Sequence, residues 1–193
     1  MAGIGEQIYF IRRLFNRRLR SVSIYDCNTQ LISTGPDSIE CRENAAVCVL
    51  NGKIYLFGGY NGCGRLASCE VFDIVTQKWS ALRKLPFAIS QGHAIAISDN
   101  FILLCGGSRS FRANLDIKYG KGIELDTIYR YDIAGDRWTL LSICLPCKVG
   151  QDRLWYDFRN KLLKCWENSV QWECSLSNSD LTWICCSKSL VQT

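Results

Sequence analysis

The chain has 193 residues, a formal net charge of +5 and a hydrophobic content of 48%. This content excludes general disorder, and the length allows a substantial core. No apolar run is long enough to cross a membrane, and the first arginines follow the short apolar run 8–11 rather than precede it, which excludes a secretory signal. We predict a folded cytoplasmic protein without membrane association. An amphipathic mitochondrial presequence is the alternative interpretation of the first residues.

Short apolar runs recur along the chain, each followed by a second strand-like segment and a polar turn. The apolar runs lie at 8–11, 54–57, 101–105 and 162–165. Runs of this length are typical of strands buried on both faces. The segments 22–25, 69–72 and 128–131 are rich in the β-branched and aromatic residues that strands favour. Each unit is therefore predicted to be a small antiparallel meander.

A signature of glycine pairs and aromatic residues repeats with these strands. Its members are Gly58, Gly59, Phe72, Asp73 and Trp79, then Gly106, Gly107, Tyr131, Asp132 and Trp138, with Trp183 in a further unit. A glycine pair at the end of an inner strand allows positive φ and the close approach of a neighbouring segment. One small sheet cannot bury a large indole ring alone, so the units must stack and cover one another's rings. Radial stacking of this kind predicts a β-propeller.

These residues resemble the Kelch repeat, and the resemblance extends over residues 8–186. It implies an all-β, Kelch-type β-propeller of about three full blades plus a partial first blade that lacks its innermost strand. The blades are predicted at about 8–34, 41–84, 89–143 and 149–187. The terminal units depart from the pattern: Arg12 and Arg13 replace the first glycine pair, Ile32 replaces its Trp, and Leu176 replaces the last aromatic residue.

The Kelch resemblance also implies more blades than this chain supplies. An open array leaves exposed sheet faces and strand edges, which favour association with another chain. Three outcomes stay open: a product shortened from a longer ancestor, self-association of two copies to complete a propeller, or a tight four-bladed arrangement.

Residues with catalytic or metal-binding chemistry are few. Cys48, Cys105 and Cys165 occupy apolar strand positions and are interpreted as small core residues. Cys144 and Cys147 have the spacing of zinc ligands, but Leu145 and Pro146 match an earlier link between units. His93 is the single histidine, whereas the copper centres of some propellers need more than one. We predict no catalytic residue, no metal and no cofactor.

Basic residues concentrate in the loops that join the second and third strands of each unit. In Kelch propellers these loops share one face with the links between blades. The predicted partner-binding residues are Arg17, Arg18, Arg20, Tyr60, Arg65, Arg109, Arg112 and Lys118. Guanidinium groups bind carboxylates bidentately, so the predicted partner is a protein with an acidic peptide segment. A solvated loop set is the alternative. Nucleic acid ranks lower because the aromatic residues belong to the strand pattern and do not interleave with the basic ones.

The function predicted from these features is a non-catalytic protein-protein interaction module. The family resemblance implies a possible relation to the substrate-recognition elements of cullin-RING ubiquitin ligases. Two alternatives remain: a sugar-active enzyme that uses the propeller channel, and a decayed fragment without stable function.

Overall fold

The computed structural model describes residues 1–11, 20–110 and 122–145 in full, and the backbone of further strands between residues 154 and 184. All strand pairs in these ranges are antiparallel, and four of the sheets contain four strands in sequence order. A fifth, small sheet contains three short strands. The structure therefore confirms the predicted all-β class built from four-stranded Kelch-type units.

Sheet 1 is complete, in contrast to the prediction. Its strands are β1 (Ala2–Ile4), β2 (Gln7–Ile11), β3 (Val22–Asp26) and β4 (Ile32–Gly35). The prediction that the first unit lacks its innermost strand is wrong, because Ala2 pairs with Tyr9 and Ile4 pairs with Gln7. A three-residue strand that contains a glycine is too short to show an apolar pattern in the sequence.

Sheets 2 and 3 contain the two clear copies of the signature. Sheet 2 comprises β5 (Ala46–Leu50), β6 (Lys53–Phe57), β7 (Cys69–Asp73) and β8 (Lys78–Leu82). Then β9 (Ile89–Ser90) precedes the strands of sheet 3, which are β10 (His93–Ser98), β11 (Phe101–Cys105), β14 (Thr127–Asp132) and β15 (Arg137–Cys144). The small sheet joins β9 to β12 (Ser108–Arg109) and β13 (Ile123–Glu124). It therefore connects the link between sheets 2 and 3 with the long loop of sheet 3.

Sheet 4 repeats the same topology with a shifted register. Its strands are β16 (Leu154–Asp157), β17 (Leu162–Glu167), β18 (Val170–Leu176) and β19 (Leu181–Ile184). Trp79 lies opposite Phe72, and Trp183 lies opposite Cys174. The prediction that Leu176 takes the aromatic position is therefore wrong, and Cys174 takes it. The segment between this position and the tryptophan is longer in sheet 4 than in sheet 2, which shifts the alignment.

The tryptophans of sheets 2 and 3 lie between neighbouring sheets, as predicted. Trp79 packs on a core that combines Tyr9 and Val22 of sheet 1 with Phe72 of sheet 2. Trp138 of sheet 3 lies edge-on to Phe57 of sheet 2, with ring centroids 5.1 Å apart. Each large ring therefore removes apolar surface of two sheets from water, which is the main stabilising term in such a stack.

The glycine pair of sheet 2 occupies a backbone conformation that other residues rarely adopt. Gly58 and Gly59 have φ values of 62° and 108°. A Cβ atom on Gly58 would lie 2.5 Å from the carbonyl oxygen of Ile89. Gly106 and Gly107 repeat the positive φ values in sheet 3. These angles agree with the expectation that a neighbouring segment approaches the pair closely, and the segment is the link to the next sheet.

Two of the cysteines predicted in the core can be placed. Cys48 and Cys105 are buried, while Cys165 lies in a strand whose side chains are outside the described residues. Burial raises the pKa of the Cys48 thiol to about 12, so it stays protonated and behaves as a small apolar side chain. Among the described residues, no helix has the length and apolar character needed to cross a membrane.

Candidate interaction surface

Two kinds of loop meet at one end of sheets 2 and 3: the loops inside each sheet and the links between sheets. Glu43, in the link before sheet 2, exchanges two backbone hydrogen bonds with Tyr60 at 2.9 and 2.8 Å. Leu66 accepts a hydrogen bond from the amide of Ile89 in the next link, at 3.0 Å. The backbone of Ser90 then pairs with that of Ser108. The loops therefore form one continuous hydrogen-bonded surface, which we call the loop face.

Arg65 lies at the centre of the loop face, among three serines. Its guanidinium donates hydrogen bonds from Nε to Ser90 Oγ at 3.2 Å, from Nη1 to Ser110 Oγ at 3.3 Å and from Nη2 to Ser108 Oγ at 3.3 Å. Ser90 and Ser108 are buried, while Arg65 is half-buried. We call Arg65, Ser90, Ser108 and Ser110 the Arg65 cluster. Its contacts come from the link between sheets 2 and 3 and from the loop of sheet 3, so the pairing of β9 with β12 positions this guanidinium.

Arg109 lies between Ser108 and Ser110 of the Arg65 cluster in the chain, and it has an aromatic partner. Its Cζ atom lies 5.9 Å from the centre of the Phe87 ring, which in turn contacts Tyr129 edge-on at 5.6 Å. A cation over an aromatic face is attracted by the quadrupole of the ring. Burial raises the pKa of Tyr129, and the charge of Arg109 acts in the opposite direction. The exposed Arg109 is thus held beside an apolar ring of the link between sheets 2 and 3.

The other predicted partner-binding residues fall in three places. Tyr60 pairs by its backbone with Arg65 and so borders the Arg65 cluster. Arg20 lies against a different link, where its Nη1 donates to the carbonyl oxygen of Ile39 at 3.3 Å. Four predicted residues lie outside the described residues: Arg17, Arg18, Arg112 and Lys118.

A buried ion pair beneath the loop face was missed by the sequence interpretation. Arg42 and Glu70 are each 2% exposed, and Arg42 Nη2 binds Glu70 Oε1 directly. Glu70 also accepts hydrogen bonds from the backbone amides of Ile39 at 2.9 Å and Glu40 at 3.0 Å. Glu70 lies between the apolar residues Cys69 and Val71 of β7, and this signal could have indicated a buried pair. The pair holds the link between sheets 1 and 2 against sheet 2.

The loop face is more mixed in charge than the sequence suggested. The links bring Glu40 and Glu43 to the same end of the sheets as the basic residues. Glu124 lies in β13 of the small sheet, where it pairs with Ser108. The charge of Arg42 is compensated inside the protein by Glu70. Of the predicted basic residues, Arg65 contacts the serines of the Arg65 cluster, whereas Arg109 lies over the ring of Phe87.

Within the described residues, no group of three or more His, Cys, Asp or Glu side chains is arranged to hold a metal ion. Cys144 is exposed, while Cys147 lies outside the described ranges.

Comparison with known proteins identifies the repeat. The Kelch motif model matches residues 41–86, which include sheet 2 and its flanking links. The chain contains a Kelch motif and resembles Kelch-repeat proteins. It is similar to an F-box/kelch-repeat protein of Arabidopsis thaliana, with 26% identity over 88% of this chain and 42% of the relative.

Further relatives from Arabidopsis thaliana are also named F-box/kelch-repeat proteins. One is 29% identical over 89% of this Kelch-repeat chain and 40% of its own length. Another is 28% identical over 74% of this chain and 38% of its own length. This Kelch-repeat chain therefore spans about two fifths of the length of the curated relatives it matches.

Proposed function

We propose that this Kelch-repeat chain is a non-catalytic protein-interaction module whose loop face binds an acidic segment of another protein. The observation that carries the proposal is the Arg65 cluster. A planar guanidinium held by three hydroxyl groups loses little side-chain freedom on binding. It offers the fork geometry that matches a carboxylate.

The charge of the guanidinium adds to this geometry. Hydrogen bonds from a guanidinium to a carboxylate are charge-assisted and stronger than those between neutral groups. Arg109, which lies over the Phe87 ring, is adjacent in the chain to Ser108. It supports a second contact with an acidic or apolar residue of the same partner segment. The surface suits a peptide that carries carboxylates beside a hydrophobic side chain.

Charge reversal tests this proposal. The probe is a panel of glutamate-rich peptides, each with a control peptide in which glutamine replaces glutamate, and binding is measured by fluorescence anisotropy. We expect Arg65→Glu to weaken binding of the acidic peptides at least tenfold, equivalent to about 1.4 kcal/mol. Lys78→Glu is the matched control, because Lys78 is exposed at the start of β8 and makes the same change in net charge. Equal binding by Arg65→Glu and the natural protein, with the fold intact, would overturn the proposal.

We extend the proposal to substrate recognition for a cullin-RING ubiquitin ligase. The support is the naming of the relatives as F-box/kelch-repeat proteins. In this extension, the loop face of the chain contacts the target of the ligase. Co-purification of ubiquitin-ligase subunits with the tagged chain from a plant extract tests the extension, and a cytoplasmic location stays a prediction.

Self-association is a second interaction that we propose. It uses the sheets and not the loop face, because stacked Kelch-type sheets leave an apolar face wherever no neighbour is present.

A further inference from the structure

One face of the small sheet carries a positive and a negative side chain next to each other. Ser90 pairs with Ser108, and Ser108 pairs with Glu124, so the three residues lie opposite one another across β9, β12 and β13. Side chains of residues that lie opposite each other project from the same face of a sheet. The guanidinium of Arg65 lies over this face, because it donates to Ser90 Oγ and Ser108 Oγ. We call Arg65, Ser90, Ser108 and Glu124 the charge row.

Gly122 shows how far the guanidinium reaches along the charge row. A Cβ atom on Gly122 would lie 2.5 Å from Arg65 Nη2 and closer still to Ser108 Oγ. Any side chain at this position would therefore displace the guanidinium. Gly122 directly precedes β13, which contains Glu124. The positive charge of Arg65 thus lies against the segment that carries the negative charge.

Glu124 has a carboxylate that the described part of the protein does not use. Its side chain is exposed. Among the described residues, this side chain has no hydrogen bond and no ion pair. Glu70, by contrast, forms a buried ion pair with Arg42. The charges of Arg65 and Glu124 therefore lie near each other without forming an ion pair.

We infer that the loop face recognises a segment in which a basic residue accompanies the acidic residue. The carboxylate of the segment binds Arg65, and its basic side chain binds Glu124. This inference rests on the acidic-segment binding proposed above and names the second charge of that segment. Opposite charges are complementary across an interface, whereas like charges placed together cost free energy and exclude wrong partners. Glu124 is therefore a specificity-determining residue.

The geometry of the charge row sets the spacing of the two charges in the partner. The guanidinium of Arg65 lies over Ser108, and Glu124 lies opposite Ser108 on the next strand. Neighbouring strands lie about 4.8 Å apart, and the long side chains of Arg65 and Glu124 extend this distance. In an extended segment, side chains two residues apart lie about 7 Å apart on one face, while adjacent side chains point to opposite faces. One residue should therefore separate the acidic residue from the basic one.

Labelled peptides with a central glutamate test the inference by fluorescence anisotropy with the full chain. The first has the sequence Lys-Ser-Glu-Ser-Lys, which places a lysine two residues away in either chain direction. The second, Ser-Lys-Glu-Lys-Ser, has the same composition and charge with the wrong spacing. We expect the natural protein to bind the first about threefold more tightly at low salt, as for an exposed ion pair. High salt should reduce this preference, because it screens exposed charges.

Variants of Glu124 assign the preference to the charge row. Glu124→Gln should bind the two lysine peptides equally, and Glu124→Lys should prefer the peptide with the wrong spacing. Glu6→Lys is the matched control, because it makes the same change in charge at an exposed position between β1 and β2. This control should keep the preference of the natural protein. Circular dichroism of each variant checks that the fold is intact, and Glu124→Gln serves alone if the lysine variant does not fold.

A second pair of peptides separates this inference from the proposed function. The peptide Gln-Ser-Glu-Ser-Gln should bind more tightly than Gln-Ser-Gln-Ser-Gln if the loop face binds carboxylates. Equal binding of these two overturns acidic-segment binding and this inference together. Preference for glutamate without any effect of lysine spacing overturns this inference alone. A spacing preference that persists in Glu124→Gln also overturns it, because another residue then reads the basic side chain.

Discussion

The indole Nε1 of Trp138 donates a hydrogen bond to the carbonyl oxygen of Arg83 at 3.1 Å. The same ring contacts Phe57, so one side chain holds both the preceding sheet and the link that leads from it. Trp79 repeats the bond, to the carbonyl oxygen of Pro36 at 3.0 Å. The repeated tryptophan therefore positions the links, and the links form part of the loop face.

Truncation of this ring should destabilise the stack. We expect Trp138→Ala to lower the free energy of unfolding by about 3 kcal/mol, through lost burial and a cavity between sheets 2 and 3. Trp138→Phe keeps most of the packing and loses the bond to Arg83, which should cost about 1 kcal/mol. Urea unfolding followed by circular dichroism measures both. Equal stability of the two variants would contradict the role of the ring, and a natural protein without a cooperative transition would support the decayed-fragment alternative.

A pair of glycine substitutions separates backbone strain from steric clash. Gly52 and Gly58 have similar φ values of 67° and 62°, but only Gly58 has an atom within reach of an added Cβ. We expect Gly52→Ala to cost about 1 kcal/mol for the left-handed conformation. Gly58→Ala should cost clearly more, because the carbonyl of Ile89 must move. Thermal melting of both variants provides the measurement. Equal losses of stability would show that the link to sheet 3 moves at little cost in free energy.

The buried ion pair provides a test of coupling. Glu70→Gln should destabilise the protein by about 3 kcal/mol, since it leaves the charge of Arg42 without its buried partner. Arg42→Met should destabilise the protein by a similar amount, because it leaves the charge of Glu70 without its buried partner. The double variant should be less destabilised than the sum of the two, because the residues contact each other. Strict additivity in a double-mutant cycle would contradict a direct interaction.

Low pH should lower the stability of the folded protein by protonating the turn aspartates. A backbone hydrogen bond from Thr76, followed by the bond with Lys53, lowers the pKa of Asp73 from 3.8 to about 2. Because the folded-state pKa lies below the unfolded-state pKa, this stabilisation is complete above about pH 4 and is lost as the pH falls toward 2. Asp73→Asn should therefore reduce the slope of stability against pH in this window. Unfolding midpoints between pH 5 and pH 2 measure it, and an unchanged slope would contradict the assignment.

Two equivalent turns each contain an aspartate with a lowered pKa. The pKa values of Asp26 and Asp132 are also lowered, mainly by backbone amides of their own turns. Asp26 accepts from the amide of Thr29 at 2.9 Å, and Asp132 accepts from the amide of Gly135 at 3.2 Å. Part of the pH dependence should therefore remain in Asp73→Asn.

Most of the architecture could be predicted from local patterns. Apolar runs and the repeated tryptophans indicated the strands, the stacking and the class of fold, because these features depend on periodicity along the chain. The innermost strand of sheet 1 could not be predicted in this way, since Ala2–Ile4 has no apolar run. The register of sheet 4 could not be predicted either, because the longer segment before Trp183 shifts the pairing to Cys174.

The candidate surface could be predicted only in part. Loop positions predicted that Arg65 and Arg109 belong to one set of loops, but not which serines hold the guanidinium of Arg65. Ser90 and Ser108 belong to different segments, and only the pairing of β9 with β12 brings them together. For Arg42 the sequence offered only the indirect signal of Glu70, because the two residues are far apart in the chain and meet only through packing.

The sequence by itself determined that the chain forms repeated antiparallel sheets whose rings must be covered by neighbours, because burial of apolar area follows from composition and spacing. Only the tertiary structure decided which polar groups share the loop face. Hydrogen bonds such as that between Arg65 and Ser108 join residues far apart in the chain. Such bonds arise from packing and have no signal in local sequence.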